Sequence, residues 1–203
     1  MNADSEAIYI VDDDPAVRDA LSVLFNMEGF IVETFSDGDT FVKSASKTVP
    51  ACVMLDVHMP GRSGIEILKA LNAEHYPAPI FIISGQGDIP MAVEAIRNGA
   101  FDFIEKPFSA DTVLERVRES IAAMKQRTPE PAAPDFKGAD QLTRREHEVL
   151  KEITDGASNK EAGRTLGISP RTVEVHRARI MEKLGARNAA DLVRIVLGRS
   201  ATS

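Results

Sequence analysis

Cysteine is nearly absent: Cys52 alone stands among 203 residues, so no disulfide can form within the chain. Its neighbours are apolar, and it reads as a buried strand thiol behaving as a small hydrophobe. Long apolar runs are missing too. The longest, 51–55 and 80–83, fall far short of the roughly 20 residues that span a bilayer. A secretory leader is not apparent either, because Asp4 and Glu6 stand where basic residues and a long apolar run would be needed. These absences predict a cytoplasmic protein without membrane contact. The four histidines (58, 75, 147 and 176) show no metal-ligand spacing, and no internal repeat is seen.

Acidic residues are abundant but unevenly spread. The net charge of -7 divides into -9 over residues 1–127 (20 Asp/Glu, 11 Lys/Arg) and +2 over the rest (11 and 13). From Lys137 onward the balance is +4. Any nucleic-acid contact therefore belongs to the C-terminal part. Between the halves, three prolines within Thr128-Pro129-Glu130-Pro131-Ala132-Ala133-Pro134 remove backbone donors and forbid a continuous helix. The expected organisation is a domain over 1–125, a Pro/Ala-rich linker over 126–138 and a second domain over 139–203.

In the first part, apolar runs of strand length (8–11, 31–35, 52–55, 80–83 and 102–104) alternate with helical periodicity. This alternation predicts an α/β domain: a five-stranded, doubly wound parallel sheet of flavodoxin-like type. In the second part strand signals are missing. Thr143 with Glu146 and Ser158 with Glu161 have capping-box spacing, Ser169 precedes Pro170, and Asn188 precedes Asp191 by three. With stops at Gly156, Gly167, Gly185 and Gly198, they predict four helices near 143–155, 159–166, 170–184 and 188–197, an all-α helix-turn-helix domain.

Asp12 and Asp13 follow the first strand, Asp56 ends the third, Ser84 the fourth and Lys106 the fifth, so all five converge on one edge of the sheet. Three carboxylates in a partly desolvated site require cations, and a hard divalent ion such as Mg²⁺, with Lys106 alongside, is the natural one. Asp14, directly before Pro15, reads as a helix cap, whereas Asp12 and Asp13 lie too early for that role. A phosphatase with an aspartyl-phosphate intermediate is the competing reading. Such enzymes of haloacid-dehalogenase type carry a second Asp two positions after the nucleophile, where this chain has His58.

Val11-Asp12-Asp13, Leu55-Asp56-Val57-His58-Met59-Pro60-Gly61, Ser84-Gly85 and Phe103-Ile104-Glu105-Lys106-Pro107-Phe108 together resemble the receiver domains of two-component systems, over about residues 8–124. The resemblance implies that Asp56 accepts a phosphoryl group from a sensor histidine kinase. Asp12, Asp13, Asp56 and the backbone carbonyl of His58 would hold Mg²⁺. Lys106 and Ser84 would bind the phosphoryl group, and Phe103 would be the aromatic switch residue. Whether its ring lies in the core before phosphorylation stays open. The Lys106-Pro107 bond is usually cis in such domains.

Leu142-Thr143-Arg144-Arg145-Glu146-His147-Glu148-Val149-Leu150, Ser158-Asn159-Lys160-Glu161-Ala162 and the run from Leu166 to Arg177 resemble the tetrahelical DNA-binding domain of NarL/FixJ (LuxR-type) regulators, over about residues 142–197. A helical protein-interaction module is the alternative. The resemblance implies double-stranded promoter DNA as a ligand and sets RNA polymerase within reach as a partner. On the third helix, Val173, Ile180 and Leu184 are expected to pack inward, leaving Arg171, Glu174, Val175, Ala178 and Arg179 outward towards the major groove. Lys160, Arg177, Lys183 and Arg187 are expected near phosphates, with Thr172 and His176 counted among the contacts. Glu174 is either a specificity element or a solvated residue. Gly163 replaces the usual alanine, at a cost of about 0.5 to 1 kcal/mol of helix stability, but it permits close helix contact.

Phosphorylation is expected to drive homodimerisation through the fourth helix and fifth strand. In the helix at about 88–98, Ala92, Ala95 and Ile96 can cover the sheet, which leaves Ile89 and Val93 for an interface.

Overall fold

The computed structural model describes residues 6–85, 89–125, 136 and 138–198, without the side chain of Ile89. The proline-rich stretch read as a linker lies outside the described residues. The chain divides into two compact units, Met1–Lys125 and Gln126–Ser203. Among the described residues no helix is long and apolar enough to cross a membrane.

Among the described residues of the N-terminal unit five strands alternate with five α-helices: β1 Ala7–Val11, α1 Pro15–Met27, β2 Ile31–Phe35, α2 Gly38–Ala45, β3 Cys52–Asp56, α3 Gly64–Ala70, β4 Ile80–Ser84, α4 Ile89–Arg97, β5 Asp102–Glu105 and α5 Ala110–Lys125. All pairings are parallel, in the order β2-β1-β3-β4-β5. Helices on both faces leave the inner strands no wet side, so every residue of β3 and β4 is buried. Edge strand β2 buries only Phe35, which packs edge-to-face on Tyr9 and Phe41.

The strand order fixes where a site forms. From β1 the chain crosses to β2 on one side and then returns to β3 on the other, which opens a crevice at the carboxyl ends of β1 and β3. Asp12 and Asp56 lie there. The loop after β3 turns back tightly because Gly64 opens α3 against that strand. A Cβ on Gly64 would stand 2.7 Å from the Asp56 carbonyl oxygen and 2.9 Å from Val57 Cα. Ser63 caps this helix with Glu66 as its capping-box partner. Asp14 caps α1, accepting from the Ala16 N–H, with Pro15 in the first turn.

The described residues of the C-terminal unit hold a 3₁₀ turn at Ala139–Gln141 and four α-helices: α6 Arg144–Thr154, α7 Asn159–Leu166, α8 Pro170–Leu184 and α9 Ala189–Val196. Thr143, Ser158, Ser169 and Asn188 are the N-caps, and the first two form full capping boxes. All four starts expected from the sequence are thus found at their caps. Val149, Leu150, Ile153, Ala162, Leu166, Val173, Ile180 and Leu192 make the core.

Candidate functional site

Asp12 directly follows β1 and Asp56 is the last residue of β3; both are buried. Lys106, just past β5, joins them: its Nζ donates to Asp56 Oδ1 at 2.8 Å and to Asp12 Oδ2 at 3.1 Å. The second oxygen of Asp56 accepts from the His58 N–H at 2.7 Å. Asp12 Oδ1 accepts from the Asp14 N–H at 2.9 Å, and the Asp12 carbonyl accepts from Arg18 Nη1 at 2.6 Å. The Lys106 N–H donates to the Ser84 carbonyl at 2.7 Å, which ties the buried Ser84 to the same edge. The Lys106-Pro107 peptide is cis. Phe103, two residues before the end of β5, is buried.

Burial pushes the Asp56 carboxyl above its ordinary range; the hydrogen bond and charge of Lys106 pull it down only in part, and Asp12 pushes it up again. Burial would lower the Lys106 ammonium. The hydrogen bond and charge of Asp56, followed by those of Asp12, outweigh that and hold it above its ordinary value. One cation thus answers two carboxylates, and the site carries excess negative charge that favours a further cation. Of the three carboxylates expected at this edge, Asp12 and Asp56 are buried together around Lys106. Asp13 is exposed, and among the described residues no three His, Cys, Asp or Glu side chains group closely enough to hold a metal ion. The donors at hand, carboxylate and carbonyl oxygens, are nevertheless the chemistry a hard divalent ion takes.

On α8 the expected outward face needs a larger correction. Glu174 and Ala178 are exposed, and Arg171, Val175 and Arg177 are half-buried. Lys160 and Arg187 are exposed. Thr172 and His176, by contrast, are buried in the domain core beside Val173 and Ile180. Arg179 and Lys183 turn towards α6, where the carboxylate of Glu146 is fully buried. Lys183 Nζ lies 2.7 Å from its Oε2 and Arg179 Nε 3.4 Å from its Oε1. Burial raises the Glu146 pKa, but the Lys183 hydrogen bond, the Thr143 N–H and the charges of Lys183 and Arg179 outweigh it and hold the group below the usual carboxylate range. Both cations are engaged by Glu146 in an ion network between α6 and α8.

Two residues escaped the sequence reading. Glu146 was legible only as a capping-box member. Asn159, the first residue of α7, accepts from Arg177 Nη1 at 2.9 Å and donates to Glu174 Oε1 at 3.2 Å. Their only sequence signal was position: each opens a helix that packs on α8.

Comparison with known proteins agrees with both halves. Residues 8–118 match the response regulator receiver domain, and residues 140–196 match the bacterial regulatory proteins of the luxR family. A receiver followed by a LuxR-type DNA-binding domain defines a two-component response regulator acting as a transcription factor, not an enzyme of ordinary turnover. The chain is 41% identical over 197 residues to the transcriptional regulatory protein FixJ of Bradyrhizobium diazoefficiens, covering 94% of each. It is also 41% identical over 197 residues to the response regulator protein TodT of Pseudomonas putida, covering 96% of this chain and 87% of that one. Among solved structures, full-length FixJ from B. japonicum aligns with a TM-score of 0.55 at 40% identity, covering 95% of this chain and 96% of that one. The chain belongs to the FixJ-like response regulators of the NarL/LuxR family. Membership implies a histidine kinase as partner and DNA as ligand.

Proposed function

We propose that Asp56 is phosphorylated by a sensor histidine kinase, and that this promotes homodimerisation and sequence-specific binding of promoter DNA. The observation that carries the reading is the pair of contacts from Lys106 Nζ to Asp56 and Asp12 at the sheet's switch point. A carboxylate oxygen of Asp56 attacks phosphorus in line, the P–N bond of the donor phosphohistidine breaks, and the imidazole leaves with a proton. Lys106 stays beside Asp56 and neutralises the phosphoryl oxygens, with the Ser84 hydroxyl donating to them. Asp12, Asp13, Asp56 and the His58 carbonyl are the residues that would hold Mg²⁺. When bound, that ion supplies charge neutralisation at the transferring group. Asp56 is thus a nucleophile on a protein substrate, and slow hydrolysis of its acyl phosphate resets the signal.

Phosphate adds charge at Asp56 and draws Ser84 inward, and Phe103 transmits the change to α4 and β5. Val93, half-buried on α4, is the interface candidate; the side chain of its companion Ile89 lies outside the described residues. Glu174, Val175 and Ala178 are the base-reading candidates, with Lys160, Arg171, Arg177 and Arg187 as phosphate contacts. RNA polymerase is the partner expected at the promoter. The test is phosphate incorporation from acetyl phosphate. Wild type takes up one acyl phosphate, labile to base and to hydroxylamine, and its formation requires Mg²⁺; Asp56→Asn takes up none, because an amide is not a nucleophile at phosphorus. Equal incorporation in Asp56→Asn would remove the reading.

A further inference from the structure

The DNA-facing side of α8 carries a carboxylate, which phosphate repels, and the structure shows how that carboxylate is held. Ser158 supplies the N-cap of α7. The amide of the next residue, Asn159, is therefore not used for capping, and it reaches across to α8, where Glu174 and Arg177 stand three residues apart on one face. The chemistry of the three groups fixes the amide's orientation. A guanidinium only donates, so the Asn159 oxygen faces Arg177; a carboxylate only accepts, so the Asn159 nitrogen faces Glu174. The chain of donors runs Arg177 to Asn159 to Glu174, at 2.9 and 3.2 Å. Glu174 itself is exposed. Its Oε1 is engaged by the amide, which restrains the carboxylate on this face of α8.

We infer that Asn159 is a positioning residue for DNA sequence reading: it holds Glu174 as an acceptor for an exocyclic base amine in the major groove, selecting cytosine at one position of each half-site. This rests on the DNA-binding reading of the domain and deepens it. Among base edges in the major groove only cytosine N4 and adenine N6 offer such a donor, and a carboxylate pairs with the cytosine amine without meeting the N7 acceptor that adjoins the adenine one. Arg177, linked through the amide, offsets the carboxylate's repulsion by nearby phosphates.

The experiment selects duplexes from a random pool with the full-length protein, with and without acetyl phosphate, for wild type, Asn159→Ala and Glu174→Gln. Wild type enriches sequences with cytosine at a fixed half-site position. Glu174→Gln moves that one preference to adenine, since glutamine pairs with adenine N6 and N7, and a purely structural role would not produce such a switch. Asn159→Ala lowers discrimination at the same position by about ten-fold, with affinity for random duplex and its salt dependence retained. The inference is overturned if Asn159→Ala keeps the cytosine preference, if it weakens all duplexes alike, or if Glu174→Gln changes no base preference. A wild type that enriches no sequence contradicts DNA reading by the domain itself, and is distinguished from the other outcomes by the absence of any consensus.

Discussion

Single residues in this protein carry charge where water is scarce, and each obeys the same balance of burial against partners. At Asp56 burial wins over Lys106, so its folded pKa lies above the ordinary 3.8. An acid with a raised folded pKa begins to oppose folding as pH rises through its unfolded value and does so fully above its folded one, because the unfolded chain ionises more readily. Asp56→Asn is therefore expected to raise the melting temperature of the receiver at neutral pH; an unchanged or lower melting temperature would contradict this. Glu146 stands on the opposite side. Its folded pKa lies below the ordinary 4.5, so its contribution to stability is fully present above 4.5 and is lost as pH falls through the depressed value. Glu146→Ala removes the partner of two inward-turned cations and is expected to cost about 3 to 5 kcal/mol in urea unfolding at neutral pH. The loss should shrink as pH falls below 4.5 and through the depressed value, as the wild-type carboxylate itself protonates.

At the scale of elements, caps and periodicity told most of the story, and they failed where one helix depends on another. The starts of α6, α7, α8 and α9 follow from Thr143, Ser158, Ser169 and Asn188, because a cap acts on its own first turn. The faces of α8 were only half legible. Val173 and Ile180 face inward as their spacing says, but Thr172 and His176 widen that face. Arg179 and Lys183 turn inward because α6 presents a buried Glu146, which no periodicity within α8 reveals. Gly163 shows the same dependence. By propensity alone Gly163→Ala would stabilise α7 by about 0.5 to 1 kcal/mol. A Cβ there would stand 2.6 Å from the Ile168 carbonyl oxygen, a backbone atom that cannot swing aside. Gly163→Ala is expected to destabilise the domain by about 1 to 3 kcal/mol in urea unfolding; a gain in stability would show that the turn between α7 and α8 yields.

For the molecule as a whole, strand alternation and strand-end residues made the receiver legible: Asp12, Asp56, Ser84 and Lys106 lie at one sheet edge because parallel strands all end there. That Asp13 is exposed while its neighbour Asp12 is buried was not legible, since burial depends on the elements packed around each residue. The same reasoning ranks the dimer face. Ala92, Ala95 and Ile96 are buried against the sheet, and Val93 is left at its margin. Phosphorylated wild type is expected to double its mass in solution, whereas Val93→Asp, phosphorylated to the same extent, stays monomeric or dimerises at least about ten-fold more weakly, as for an aspartate placed in an apolar interface core. Unchanged dimer affinity in that variant would move the interface elsewhere. The most direct measurement of the central claim is the affinity of the full-length protein for a duplex that it selects, at fixed salt, before and after acetyl phosphate with Mg²⁺. Acetyl phosphate is expected to tighten binding by wild type and to leave Asp56→Asn unaffected. An equal gain in Asp56→Asn, or no gain in wild type, would contradict control of the DNA-binding domain by phosphate at Asp56.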